Sequence, residues 1–209
     1  TANSTTVSST ISMGAINDAP IIDLDNTTTG NNFATSFTED VNSNLPITNN
    51  TTITDVDNTN MTSATITLTN NLDGITDENI TLTAAQITAA DGLGITVNVA
   101  TDNVISLSGS SSIANYQTVI NQIVYNNTSQ NPTTTDRVIT VVANDGTNDS
   151  NTASTTISIN AGNDNPILTL DNATTNFATS FTEAQSPFFC RTINLKSGSR
   201  KTHLCRVSE

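Results

Sequence analysis

Ser9-Thr-Ile-Ser-Met-Gly-Ala-Ile-Asn-Asp-Ala-Pro-Ile-Ile-Asp-Leu-Asp-Asn26 returns, 146 positions later, as Thr155-Thr-Ile-Ser-Ile-Asn-Ala-Gly-Asn-Asp-Asn-Pro-Ile-Leu-Thr-Leu-Asp-Asn172. Two residues short of that spacing, Asn32-Phe-Ala-Thr-Ser-Phe-Thr-Glu39 recurs as Asn176-Phe-Ala-Thr-Ser-Phe-Thr-Glu183. Self-similarity at a fixed period is the mark of an array of structural units. The chain accordingly divides into the last strand of one unit (1–16), a complete unit (17–162) and the opening of a third (163–184). The match stops at Ala184. Residues 185–209 read as foreign to the array, because the composition changes there.

Charge shows the same break. Residues 1–184 hold 18 of the 19 acidic residues and a single base, Arg137, whereas 185–209 hold five bases, the only histidine (His203) and both cysteines (Cys190, Cys205). With a net charge of −13, the chain offers no basic surface for nucleic acid or anionic lipid. It also lacks an apolar run near the roughly 20 residues a membrane helix needs, and no charged-then-apolar leader opens it. The expectation is a soluble internal segment with no nucleic-acid partner and no membrane insertion.

Within the complete unit, apolar and polar residues alternate over short runs, as half-buried strands require. Ala64, Ile66 and Leu68 form one such set, Ile95, Val97 and Val99 a second, and Ala153, Ile157 and Ile159 a third. Arg137–Asn144 is more continuously apolar and suits a central strand. Asp73-Gly74, Asp91-Gly92, Asn131-Pro132 and Asp145-Gly146 read as turns. One segment departs from the alternation: Ile113, Tyr116, Ile120 and Ile123 share a helical face behind a serine-rich start that can cap it. With 41 Thr and 30 Asn, a third of the chain favours strands and turns. The predicted fold is all-β, a Greek-key sandwich with one short helical insertion, in a tandem array. Phe37, Tyr116 and Tyr125 are candidate core residues.

The residues that punctuate the repeat carry the functional reading. Asn17-Asp-Ala-Pro20 and Asn163-Asp-Asn-Pro166 sit at the unit boundaries. Thr38-Glu39, Asp55-Val-Asp57-Asn-Thr-Asn60 and Val142-Ala-Asn-Asp145-Gly146 follow the first of them in order. This ordered set resembles the cadherin fold family, and in particular the cadherin-like tandem repeats of large bacterial surface adhesins. The resemblance covers 1–184. It implies Ca²⁺ at the boundaries, held by Asn17, Asp18, Asp55, Asp57 and Asp145, with a carbonyl from Asn60. It implies that Glu39, Asn163, Asp164 and Asn165 serve the next boundary. Calcium takes six to eight oxygen ligands from carboxylates and carbonyls, which loops rich in Asp and Asn supply.

The chain also departs from the family pattern. Ala15 and Ala161 stand where an Asp usually precedes the boundary Asn-Asp, and Asp136-Arg137 lacks the Glu that completes the family's acidic motif, so one or two ions per boundary are expected. Without metal the acids repel, by roughly 4 kcal/mol for a pair 4 Å apart at an effective dielectric near 20. With metal, neighbouring units would share one ligand set and the linker would stiffen.

Competing chemistry has little support. Cys190, His203 and Cys205 fit no zinc spacing, and residues 1–184 offer no general base beyond the carboxylates of the calcium reading. The expected function is therefore a non-enzymatic calcium-binding extracellular repeat. Its partners would be neighbouring repeats of the same chain and a cell-surface or glycan ligand. Two alternatives stand beside it: a carbohydrate- or ice-binding sandwich using the Thr-x-Thr row at 65–69, and a noncatalytic accessory repeat of a secreted enzyme.

Overall fold

β-Branched Thr, Ile and Val suit a pleated, half-buried surface, and short polar Asn and Asp close the loops between strands. The computed structural model describes residues 1–164 apart from 2, 4 and 15, together with the backbone of 188–194 and 201–207. It divides into two units, Thr1–Gly162 and Asn163–Glu209. The first contains β1 (Ile21–Asp23), β2 (Phe33–Thr38), β3 (Leu45–Pro46), β4 (Thr52–Thr54), β5 (Asn60–Leu68), β6 (Glu78–Thr81), α1 (Ala84–Gly92), β7 (Thr96–Thr101), β8 (Val104–Ser112), α2 (Ile113–Ile120), β9 (Val124–Asn127), β10 (Arg137–Asn144) and β11 (Ala153–Asn160). In the second, β12 (Phe188–Asn194) and β13 (Lys201–Val207) form an antiparallel hairpin that sets Cys190 opposite Cys205. The expected third opening lies outside the described residues from Asn165 onward.

The strands form an all-β sandwich. A six-stranded sheet in the order β2-β11-β10-β5-β8-β7 faces a three-stranded sheet β3-β9-β6 and the short pair β1-β4. Its neighbours are antiparallel except β11 and β2, which run parallel. Phe37, Ile66, Leu107, Ile139, Val141 and Ile157 of the large sheet are buried against Ile22, Ile53, Ile80 and Tyr125 of the smaller ones. Across the two layers the rings of Phe37 and Tyr125 meet edge to face, 5.5 Å between centroids, the arrangement aromatic quadrupoles prefer.

Strands β5, β10 and β11 fall where the alternation predicts, with Ala64, Ile66, Leu68, Ala153, Ile157 and Ile159 buried. The β7 expectation holds only for its first inward residue. Ile95 is buried, Val97 is half-buried, and Val99 is 46 % exposed. The cause is a shift of the β7–β8 register between Asn98 and Thr101 on this edge strand, which turns the later residues outward. Helix α2 forms as predicted, capped by the Ser112 hydroxyl and burying Tyr116, Val119 and Ile120.

Helix α1 is a second helix beyond the one expected. Thr83 and Gln86 form a reciprocal capping box at its start. Asp91-Gly92, read as a turn, is the last turn of this helix. The described residues of 1–16 carry no strand, and Val7, Ile11, Met13 and Ile16 are exposed.

A candidate metal centre at the N-terminal end of the unit

Two loops built on the same local pattern meet the segment that enters the unit. Asp55-Val-Asp-Asn58 follows β4, and Asp145-Gly-Thr-Asn148 follows β10; both read Asp-x-x-Asn. In each, the leading Asp folds its own loop with one carboxylate oxygen. Asp55 Oδ1 accepts from the backbone N–H groups of Asp57 (3.1 Å) and Asn58 (2.9 Å). Asp145 Oδ1 accepts from those of Thr147 (2.6 Å) and Asn148 (2.8 Å). Short polar side chains that capture backbone donors two and three residues on are the ordinary means of fixing such turns. Gly146 completes the second loop at φ +108°, a conformation only glycine adopts without strain.

That division of labour leaves the second oxygen of Asp145 free to meet the entering chain. Asp145 Oδ2 accepts from Asn17 Nδ2 (2.8 Å) and Asn58 Nδ2 (3.4 Å). Asp57 Oδ2 accepts from the Asp18 backbone N–H at 3.2 Å. Asp55 Oδ2 is buried with no hydrogen-bond partner. The trailing Asn of each loop then holds Asn17: Asn58 Nδ2 donates to Asn17 Oδ1 (2.6 Å) and Asn148 Nδ2 to the Asn17 carbonyl (3.2 Å).

Hydrogen bonds, first that of Asn17 and then those of the loop backbone, outweigh desolvation and hold the Asp145 carboxyl below its ordinary value. Hydrogen bonds thus link the loops that carry Asp55, Asp57 and Asp145, with no basic side chain bonded to these carboxylates among the described residues. The one base of the unit, Arg137, is engaged elsewhere.

The structure therefore brings Asn17, Asp18, Asp55, Asp57 and Asp145 together, although their sequence separations reach 128 residues. Asn60 is exposed at the start of β5, opposite Ser112, and its side chain makes no hydrogen bond among the described residues. Asn58 is the amide that joins the cluster from this loop, and Asn148 joins from the other. Neither is among the residues the resemblance implies. The signal that finds them is the repeated Asp-x-x-Asn spacing.

The groups are all hard oxygens or amides, the chemistry that suits Ca²⁺, and Asp55 Oδ2 is a buried polar atom without a hydrogen-bond partner. Among the described residues no three carboxylate, imidazole or thiolate groups close on one point at metal-ligand spacing. The amides of Asn17 and Asn58 stand among the carboxylates with their Nδ2 groups donating.

Glu39 lies at the opposite end of β2. It is 4 % exposed; Oε2 accepts from the Gly162 N–H at 2.7 Å, and Oε1 is buried without a partner. Asn163 and Asp164 are exposed, and Asn163 Nδ2 donates to the Asp164 carbonyl (3.4 Å), as Asn17 does to that of Asp18 (2.8 Å). Asn165 lies outside the described residues.

A second buried charge cluster has no counterpart among the sequence-based expectations. Arg137, fully buried at the start of β10, donates to Glu78 and Asp73 and to the carbonyls of Thr133 and Thr135. Glu78 also accepts from the Tyr125 hydroxyl (2.7 Å) and from the backbone N–H groups of Leu72 and Asp73. At Asp73, read as a turn residue, burial opposes ionisation. Bonds from Thr133 and Asn127 together with the Arg137 charge outweigh it and lower the carboxyl's pKa.

No helix among the described residues is long and apolar enough to cross a membrane. No family model and no curated protein matches the chain. Among solved structures, the chain is similar to a dockerin–cohesin complex crystallised at pH 5.5. The identity is 15 %, the TM-score 0.33, and the match covers 66 % of this chain and 99 % of that one.

Proposed function

We propose that the unit is a calcium-binding structural repeat of an extracellular adhesin, in which Ca²⁺ at the unit boundary fixes the linker and stiffens the array. The observation that carries this reading is the bonding of Asn17 to Asp145 and of the Asp18 N–H to Asp57, in loops where the second Asp55 oxygen is buried without a partner. Asn17 and Asn58 would turn their amide oxygens toward the ion, so that groups now donating to carboxylates become ligands, and the same carboxylates lose their mutual repulsion. Because Asn17 and Asp18 belong to the linker, ligation there ties the orientation of whatever precedes them to the sandwich. Glu39, with its own orphaned oxygen next to Gly162, would serve the following boundary together with Asn163, Asp164 and Asn165. The site would bind at about 10⁻⁴–10⁻³ M, the range of extracellular modules, and the adhesive partner would be a cell-surface or glycan ligand.

The test is thermal unfolding of the full chain in millimolar calcium and in chelator. At ten times Kd, binding stabilises the fold by about 1.4 kcal/mol, and the melting temperature rises accordingly. Asp55→Ala and Asp57→Ala each abolish most of that rise. No calcium-dependent rise in the parent chain, together with no heat in calorimetric titration, rejects the reading.

A further inference from the structure

We infer that the sandwich contains a shear clamp: Ile22 of β1 and the whole of β2, early in the unit, are bonded side by side to the segment of β11 by which the chain leaves it, oriented so that tension along the chain loads this seam in shear. At one end Asn151, just ahead of β11, clasps Ile22. Its Oδ1 accepts from the Ile22 N–H (2.8 Å) and its Nδ2 donates to the Ile22 carbonyl (2.9 Å), so a side-chain amide imitates a ladder pair. Next, the Ser154 N–H donates to Asn32 Oδ1 at 2.9 Å.

The parallel ladder itself comes next, with Thr155 opposite Phe33 and so on in unbroken register to Asn160 opposite Thr38. At the far end the Glu39 N–H donates to the Asn160 carbonyl (3.0 Å), and Gly162 N–H to Glu39 Oε2 (2.7 Å). Phe37, Thr155, Ile157 and Ile159 bury the inner face of this seam, and the Thr155 hydroxyl donates to the Ile47 carbonyl at 2.6 Å.

The direction of the strands decides what a pull does. The chain enters β2 at Phe33 and leaves β11 at Asn160, which lie at opposite ends of the paired strands. Tension between the termini therefore draws β2 and β11 past each other along their lengths, and rupture requires many hydrogen bonds to fail together. Were both strands held at the same end, the bonds would part singly. The inference shares with the spacer reading the premise that the chain is held at both ends. The seam includes none of Asp55, Asp57 or Asp145.

Single-molecule stretching of the full chain in chelator tests it. Held at its N and C termini, the unit is expected to resist and then open in one event, releasing roughly 50 nm of chain at about 3.5 Å per residue. Attachment at Val41→Cys, an exposed site just beyond β2, with Cys190→Ser and Cys205→Ser to make it unique and the C terminus held as before, loads both strands at the same end. The rupture force should then fall several-fold. Asn151→Ala with Asn32→Ala should lower the force in the first geometry and leave it unchanged in the second. Equal forces in the two geometries overturn the clamp. A clear difference between them, with melting indifferent to calcium, sustains the clamp and removes only the metal.

Discussion

Arg137→Met leaves the Glu78 and Asp73 carboxylates buried together without their cation. Breaking one side of a buried ion cluster costs about 3–5 kcal/mol, and urea unfolding should show a loss of that order. Arg137→Met combined with Glu78→Gln should recover part of it, since the remaining Asp73 is then the only buried charge of the cluster. The pairing could not be read from the sequence, because Glu78 lies 59 and Asp73 64 residues away along the chain. The sequence does hold a phase: Arg137 alternates with Ile139, Val141 and Ala143, all inward, and an arginine on a buried face requires anionic company. Asn58 and Asn148 were legible in the same limited way, as the fourth residue of two loops with equal spacing. The boundary acids themselves were legible because the repeat sets Asn17-Asp18 apart as punctuation. Their convergence on Asp145 is a matter of how β4 and β10 end, which no local pattern records.

Among the elements, the strands most faithful to their pattern are those with neighbours on both sides, β5, β10 and β11, where ladders on both edges hold the register and one face is buried. The edge strand β7 broke phase at an irregularity that alternation cannot encode. Helix α1 went unread because its alanines and Thr-x-x-Gln start give little amphipathic signal, and one buried residue, Ala90, anchors it.

Two glycines make opposite predictions at this scale. Gly109 in β8 has φ +125°, and a Cβ there would stand 2.2 Å from the Gly94 carbonyl oxygen. Gly109→Ala should cost at least about 1–3 kcal/mol, the range of backbone strain alone, and lower the calorimetric melting temperature. Gly92, at the end of α1, has open space around it and no positive φ. Gly92→Ala should be neutral or stabilising by about 0.5–1 kcal/mol.

For the unit as a whole, acidity acts through carboxyls distributed over its loops. Asp25 is held below its ordinary value chiefly by the Thr27 hydroxyl, Asp145 by Asn17, and Asp73 by bonds and the Arg137 charge that overcome its burial. A carboxyl whose pKa is lower folded than unfolded stabilises the fold above its unfolded value of 3.8, and that contribution disappears as pH falls through the folded value. The urea midpoint should thus stay level from neutrality to about pH 5 and drop below pH 4. At the alkaline side burial raises the Tyr116 hydroxyl to about 12 and, with Glu78 beside it, raises Tyr125 as well. Stability should fall again as the pH climbs past the ordinary tyrosine value of 10.

The seclusion of Arg137 has one more consequence. Trypsin cuts after lysine and arginine, and between residues 1 and 164 that guanidinium marks its sole target. The folded sandwich presents nothing to the enzyme, so cleavage between Arg137 and Val138 would occur only in molecules that have opened. The rate of that one cut is a built-in gauge of how often the unit unfolds.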